Sequence, residues 1–254
     1  MRREHTGGSD RLGPELSEGR VLVVPRPDFR DRAASGLDRH SRARLTERHA
    51  ALFVGETLFE RLARTVCSAE CLPRKELFEA WETCKRVRRR IRGGPVVDVA
   101  AGHGLVAFCM LLLDDTTPEA ICVDRRQPAS FLRLQTVLLA RWPRLKGRVR
   151  YVQSPLSDVP LPDGAALIGV HACGPLTDEV LDKAIAGRHR VAVLPCCHSD
   201  EKCDTGDLRG WLPTGLAVDA TRAARLRAAG FAVHTTTIPD DITPENRLLI
   251  AVPR

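Results

Sequence analysis

The chain has 254 residues, of which 43% are hydrophobic and 28% charged, and its net charge is +7. This length accommodates one α/β domain with a helical addition and excludes two full domains, and the apolar content excludes a wholly disordered chain. The positive charge favours polyanionic partners through phosphate contacts.

The longest apolar run, residues 105–113, is shorter than the ~20 residues that cross a bilayer. The first residues lack the apolar stretch of a signal peptide. We therefore expect no membrane association and a cytoplasmic location. In that setting the nine cysteines are expected to be reduced, buried or part of a site rather than disulfide-bonded.

The first part of the chain divides into two predicted regions. Residues 1–37, rich in Gly, Arg, Asp and Pro, are predicted to form a flexible tail. Residues 38–92 are predicted to form a helical cap, because apolar residues recur at helical spacing from 38 to 67 and again from 74 to 91. Pro73 separates the two helices, and Gly93-Gly94 ends the second.

From residue 93 to 254 short β-type runs alternate with helical stretches. The predicted strands are 96–99, 120–123, 149–152, 166–170, 191–194, 231–236 and 248–252, and the predicted helices are 105–113, 129–142, 178–186 and 219–229. Such β/α units predict a parallel α/β sheet covered on both faces. The last two strands lack an intervening helix, as in an antiparallel hairpin. This order resembles the Rossmann-like, seven-stranded plan of class I methyltransferases.

The first predicted strand runs into a glycine-bearing turn followed by a helix. Glycine allows positive φ angles and close approach of the backbone to a ligand. The second strand ends in Asp124, where an acid accepts hydrogen bonds from ribose hydroxyls. The predicted cofactor-binding residues are Asp98, Ala100, Gly102, His103, Gly104, Asp124, Arg125 and His171.

Two cofactors use this arrangement. Residues 102–107, Gly-His-Gly-Leu-Val-Ala, fit the dinucleotide fingerprint, so NAD stays open. Three features favour S-adenosylmethionine: Asp98 at the end of the strand, the lack of a nearby cation or Ser/Thr for a pyrophosphate, and too little chain for a separate substrate domain.

Two further strings follow the fourth and fifth strands. Residues 171–178 read His-Ala-Cys-Gly-Pro-Leu-Thr-Asp, and residues 195–198 read Pro-Cys-Cys-His. Because ligands bind outside the carboxyl ends of parallel strands, both strings are expected to face the same crevice as Asp98 and Asp124. A His and several thiols at that edge are unusual for a protein core.

The predicted catalytic residues are His171 and His198 as bases and Cys196 as a nucleophile. The alternative is structural: His171 binds backbone around the cofactor, and His198 stabilises the turn after the fifth strand. The His and Cys residues of these strings, with Cys203, are also candidate zinc ligands. Their spacing differs from the paired C-x-x-C of structural sites, so we predict no metal site.

The two strings resemble the methyltransferase-like group that includes methyltransferase-like protein 25 and the ribosomal-RNA-adenine-dimethylase-domain-like proteins. They are also similar to eukaryotic tRNA 2′-O-methyltransferases with paired His-x-Cys-Gly-x-x-Thr-Asp and Cys-Cys-His motifs. The resemblance spans residues 71–254 and includes Pro-Arg-Lys-x-x-Phe-Glu at residues 73–79. It implies an S-adenosylmethionine-dependent methyltransferase. Ala100 stands where the family usually has the first glycine of the turn.

Two basic blocks bear on the substrate. They are Lys85-Arg86-Val87-Arg88-Arg89-Arg90-Ile91-Arg92, and the group Arg141, Arg144, Lys146, Arg148 and Arg150. They are either solvated helix ends, where cations complement the helix dipole, or a surface for nucleic acid. We expect a methyltransferase acting on RNA or an unidentified substrate. The alternatives are a small-molecule or protein methyltransferase of the same fold, and a non-catalytic S-adenosylmethionine-binding or scaffold protein. The oligomeric state is left open.

Overall fold

The computed structural model describes residues 37–198 and 201–254. The predicted tail, apart from residue 37, lies outside the described residues. The helices are α1 (Leu58–Ala69), α2 (Arg74–Val87), α3 (Leu105–Leu113), α4 (Ala129–Arg141), α5 (Pro175–Ala186) and α6 (Thr214–Ala228). The strands are β1 (Val96–Val99), β2 (Ala120–Asp124), β3 (Val149–Gln153), β4 (Ala166–Gly169), β5 (Arg190–Val193), β6 (Phe231–Thr237) and β7 (Arg247–Pro253).

The seven strands form one sheet in the order β3-β2-β1-β4-β5-β7-β6. Strands β1 to β5 are parallel, and β7 is antiparallel to both β5 and β6. The predicted Rossmann-like α/β sheet and its terminal hairpin are therefore confirmed. None of the helices in the described ranges is long and apolar enough to span a bilayer.

Alternate residues of each strand face opposite sides of the sheet. In β1, Val96 packs into a core shared with α1 to α4, whereas Val97 and Val99 pack into a core shared with α5 and α6. Both faces are therefore covered, which explains why the central strands consist almost wholly of apolar residues.

The prediction of a continuous helical pattern over residues 38–67 is wrong in its first half. A 3₁₀ turn, Glu47–Leu52, is followed by α1, which begins only at Leu58. Thr57 and Glu60 form a capping box: the Glu60 N–H donates to Thr57 Oγ1 at 3.2 Å, and the Thr57 N–H donates to Glu60 Oε2 at 3.3 Å. Because this box satisfies the free N–H groups of the first turn, it fixes where α1 starts.

One buried arginine ties α6 to the loops at the carboxyl edge of the sheet. Arg222 is 2% exposed. Its Nη2 donates to Asp178 Oδ2 of α5 at 2.7 Å and to the Gly174 carbonyl at 3.1 Å, and its Nη1 lies 3.4 Å from Asp219 Oδ1. These charge-assisted hydrogen bonds offset the free energy that a guanidinium loses on leaving water, so the pairing is needed for Arg222 to be buried.

Replacing Arg222 with methionine should therefore be strongly destabilising. R222M keeps the apolar stem but removes the cation that lies 2.7 Å from Asp178, which is left with Arg225 at 3.4 Å. Breaking a buried pair of this kind costs about 3 kcal/mol. The matched change Arg227→Met, on the exposed side of α6, should stay within about 0.5 kcal/mol of the parent. Urea unfolding of both variants measures the difference, and equal midpoints would contradict the role given to Arg222.

Candidate functional site

The sheet order places a crevice between β1 and β4. The helix after β1, α3, packs on one face of the sheet, and the helix after β4, α5, packs on the other. The turns that leave these two neighbouring strands therefore diverge at their carboxyl ends. In open α/β sheets this is where ligands bind.

The two glycines of the turn after β1 differ in what surrounds them. Gly102 has a φ of +48°, and a Cβ added to it would meet nothing within 4 Å. Gly104 has a φ of +74°, and its Cβ would lie 2.9 Å from both Cys122 Sγ and Phe131. Gly104 is therefore required by packing, whereas Gly102 leaves bare backbone beside open space.

Ala100, where the resembling family usually has glycine, also adopts the left-handed conformation, with a φ of +55°. A Cβ at positive φ clashes with the following carbonyl and costs roughly 1–2 kcal/mol. Ala100 thus adopts the left-handed backbone conformation that glycine would adopt in this turn, and its side chain strains that conformation.

Asp124 ties this turn to the end of β2. Its Oδ2 accepts from the Gly102 N–H at 3.0 Å, and its Oδ1 accepts from the Arg126 N–H at 3.4 Å. It also lines a cavity of about 380 Å³. The other residues around this cavity are Val99, Ala100, Val123, Arg125, Ser154, Leu156, Pro175, Leu176 and Glu179. Of the predicted cofactor residues, the cavity thus brings together Ala100, Asp124 and Arg125.

Asp98 is buried and is not among the residues that line this cavity. The carboxyl group is 2% exposed and accepts the Ala107 N–H of α3 at 3.2 Å. Burial raises its pKa well above the usual range. Because it holds the first turn of α3 against β1, Asp98 positions the glycine turn from behind.

Helix α2 contributes two acids to the crevice that the sequence analysis missed. His103 Nε2 lies 3.1 Å from Glu76 Oε2, and His103 Nδ1 lies 2.6 Å from Ser130 Oγ. Burial raises the pKa of Glu76, but the hydrogen bond from His103 and the charges of His103, His171 and Lys75 together outweigh it, so this pKa lies below its usual range. His103 is thus held by side chains from α2 and α4.

The second of these acids, Glu79, is 3% exposed and lies beside His171. Its Oε2 is 3.8 Å from His171 Nε2 and has no hydrogen-bond partner among the residues described, while its Oε1 pairs with Lys75 at 3.3 Å. The His171 side chain is 42% exposed. The signal was present in the sequence, since Glu79 ends the Pro-Arg-Lys-x-x-Phe-Glu string, but that string served only as part of the resemblance.

His198 lies in a different environment. Its Nε2 is 2.9 Å from Asp219 Oδ1, its Nδ1 is 3.7 Å from Glu245 Oε2, and its side chain is 7% exposed. It lines a separate cavity of about 460 Å³ together with Gly215 and Arg247. Arg247 Nε also donates to Asp219 at 2.7 Å, so the ring of His198 is fixed in the turn after β5.

The cysteines correct one expectation. Cys173 and Cys196 form a disulfide, with Cα atoms 5.7 Å apart, so the prediction of reduced cysteines is wrong for this pair. In the bonded form Cys196 has no thiol to act as the predicted nucleophile. Cys197 is exposed, and the six other free cysteines are buried.

Several cations of the two basic blocks have partners within the protein. Arg86 pairs with Glu82, Arg144 with Asp115 at 2.7 Å, and Arg150 with Glu119 at 3.6 Å. Arg148 donates to the carbonyls of Thr117 and Pro118. The exposed arginines of the first block are Arg89, Arg90 and Arg92. Part of each block is thus used in holding the fold.

A family model described as a methyltransferase domain matches residues 75–203, just over half of the chain. No curated protein matches.

Solved structures with a similar fold include an O-methyltransferase family protein from Burkholderia thailandensis, with 18% identity, a TM-score of 0.45, and coverage of 84% of this chain and 65% of that one. The S-adenosylmethionine-dependent methyltransferase SibL has 20% identity, a TM-score of 0.46 and coverage of 83% and 66%. The B. subtilis tRNA methyltransferase TrmK has 14% identity, a TM-score of 0.44 and coverage of 68% and 65%. The chain thus spans about two thirds of the length of each.

Relieving the strain at Ala100 should stabilise the protein. A100G removes a cost of roughly 1–2 kcal/mol and adds about 0.4–1 kcal/mol of chain entropy to the unfolded state. Ala101 provides the matched control, because it lacks a positive φ and its N–H donates to the Val123 carbonyl at 3.2 Å. A101G should lose about 0.4–1 kcal/mol, because glycine raises the chain entropy of the unfolded state and relieves no strain here. The midpoints of thermal unfolding of A100G and A101G provide the test. If both variants have midpoints lowered by the same amount, Ala100 is not strained.

Proposed function

Because the chain belongs to the methyltransferase-domain family, we propose that it transfers a methyl group from S-adenosylmethionine to RNA. The use of this donor and the identity of the acceptor are the two parts of the proposal. Each has its own support and its own test.

The observation that carries the donor part is the position of the Asp124 carboxylate, at the end of β2 in the wall of the cavity that Ala100 and Arg125 also line. Asp124 would accept hydrogen bonds from the ribose hydroxyls, as acids at the end of β2 do in nucleotide-binding sheets. The cavity of about 380 Å³ has apolar walls at Val99, Val123 and Leu156, which suit an adenine ring. The residues present therefore fit the adenosine half of S-adenosylmethionine.

When bound, S-adenosylmethionine supplies a methyl group already activated by its sulfonium. The protein then has to position the acceptor and, for a hydroxyl or amine, remove its proton. Of the predicted bases we favour His171, because its ring is partly exposed at the crevice and Glu79 lies 3.8 Å away. Once His171 has taken a proton, the Glu79 carboxylate would stabilise the imidazolium.

RNA as the acceptor is supported by charge. The net charge is +7, and Arg89, Arg90 and Arg92 remain exposed beyond the end of α2. Exposed arginines bind phosphates and release counterions. The resemblance of the two His/Cys strings to tRNA 2′-O-methyltransferases points the same way.

Calorimetric titration with S-adenosylmethionine tests the donor. The parent protein should bind it, and D124A should weaken binding by about tenfold or more, since a lost hydrogen bond to a charged group is worth about 1.5–3 kcal/mol. Asp115→Ala, after α3 at the opposite edge of the sheet, should bind like the parent. If the parent protein does not bind S-adenosylmethionine at ~1 mM, which corresponds to a binding free energy of about −4.1 kcal/mol, the donor part of the proposal is wrong.

The acceptor is tested by offering radiolabelled donor with separated RNA, protein and metabolite fractions. We expect label in RNA, and a double variant R89Q/R90Q should raise the KM for RNA without changing donor binding. The control R227Q should change neither. Label confined to protein or to small molecules would overturn RNA as the acceptor and leave methyl transfer in place.

A further inference from the structure

We propose that Cys173, Cys196 and Cys197, when reduced, bind one Zn²⁺ ion and leave its fourth coordination position open. The three Sγ atoms all lie within 4.8 Å of one another. They come from the loops after β4 and β5, which are neighbouring parallel strands. Cys173 and Cys197 are exposed and Cys196 is half-buried, so an ion can reach them from solvent.

The separations suit a thiolate-bound metal. With Zn–S bonds of about 2.3 Å and tetrahedral angles, two sulfur ligands of one zinc lie roughly 3.8 Å apart. The Cα atoms of Cys173 and Cys196 are 5.7 Å apart, so after reduction their sulfurs can separate to that distance by rotation about the side-chain bonds. Three thiolates are soft ligands, which favour zinc over magnesium or calcium.

One backbone hydrogen bond joins the two loops, and two side-chain hydrogen bonds anchor the loop after β4. The Gly174 N–H donates to the Cys197 carbonyl at 3.3 Å, and Arg222 donates to the Gly174 carbonyl at 3.1 Å. The Thr177 hydroxyl, in the first turn of α5, donates to the Ala172 carbonyl of the loop after β4. The three thiols are therefore kept near one another whether or not the disulfide is present, which lowers the entropy lost on binding an ion.

Two further candidate ligands that follow β5, Cys203 and His198, have other partners. Arg222 Nη2 donates to Cys203 Sγ at 3.7 Å, and His198 Nε2 lies 2.9 Å from Asp219. Within the described part of the chain the group therefore has three protein ligands. Structural zinc sites are closed by four, whereas catalytic sites keep a position for water or substrate. The proposed site is of the open kind.

The disulfide and the zinc site exclude each other, because a bonded sulfur has no thiolate to give. A phosphine reduces the Cys173–Cys196 bond to two thiols and is itself oxidised to the phosphine oxide, taking its oxygen from water. Zinc then displaces the protons of the three thiols as the thiolates bind it. The spacing of the cysteines in the sequence differs from that of known zinc motifs, so the sequence analysis predicted no metal site. Cys173 is far from Cys196 and Cys197 in the sequence, but the pairing of β4 with β5 brings them together.

The test uses the full chain, reduced with a phosphine, stripped of metal and titrated with Zn²⁺ against a chromophoric chelator. One equivalent should bind. C173S, C196S and C197S should each weaken binding by more than the roughly 10–100-fold that is lost when a group hydrogen-bonded to a metal ligand is removed. C203S, which keeps an acceptor for Arg222, should bind zinc like the parent. Unchanged binding in the three variants, or equal loss in C203S, would overturn the assignment.

A second measurement needs no variant and does not depend on donor binding or activity. The reduced parent protein is alkylated with iodoacetamide, with and without one equivalent of Zn²⁺, and the modified cysteines are identified by mass spectrometry. Zinc should slow modification of Cys173, Cys196 and Cys197 selectively. If zinc protects none of the three cysteines, the proposed site does not exist. This conclusion does not depend on whether a serine variant folds, because only the parent protein is alkylated.

Discussion

The carboxyl edge of the sheet depends on one buried cation. Arg222 lies on α6 but reaches Asp178 on α5, the Gly174 carbonyl in the loop after β4, and Asp219 on its own helix. Asp219 in turn holds His198 and Arg247. A guanidinium can do this because its five N–H groups point in fixed directions within one plane. The loops that carry the His/Cys strings are therefore fixed by side chains outside those strings.

Much of the fold could be predicted from apolar runs. The seven strands agree with their predicted ranges within one residue at each end. Central strands such as β1 and β4 are buried and leave a continuous apolar signal. The partly exposed β3 and β6 are marked instead by their β-branched and aromatic residues. The start of α1 was missed, since its capping box at Thr57 and Glu60 is a local polar signal that apolar periodicity does not report. Helix α6 begins before its predicted residue 219, at Thr214, for a similar reason: its first turn is marked by Pro213 rather than by apolar spacing.

The site was predictable where its residues are neighbours in the sequence. The glycine turn and Asp124 follow strands, and the carboxyl ends of parallel strands meet at one edge. Glu76 and Glu79 were missed because α2 was interpreted by its apolar residues alone. The pairing of Arg222 with Asp178 spans 44 residues and leaves no local pattern. Strand order did predict that the two His/Cys strings face one crevice, but the bond between Cys173 and Cys196 was missed, because sequence spacing does not report which side chains come into contact.

Helix α2 has a consequence for how this protein can be divided. It precedes the sheet in the chain, yet it places Glu76 against His103 and Glu79 beside His171. A fragment cut at residue 93, where the composition changes, would keep every strand and both His/Cys strings. It would also expose the apolar residues of α3 that pack on α2 and remove two carboxylates from the crevice. The smallest unit that retains the chemistry of the crevice therefore begins before α2, and the segment that looks like an appendage forms one wall of the crevice.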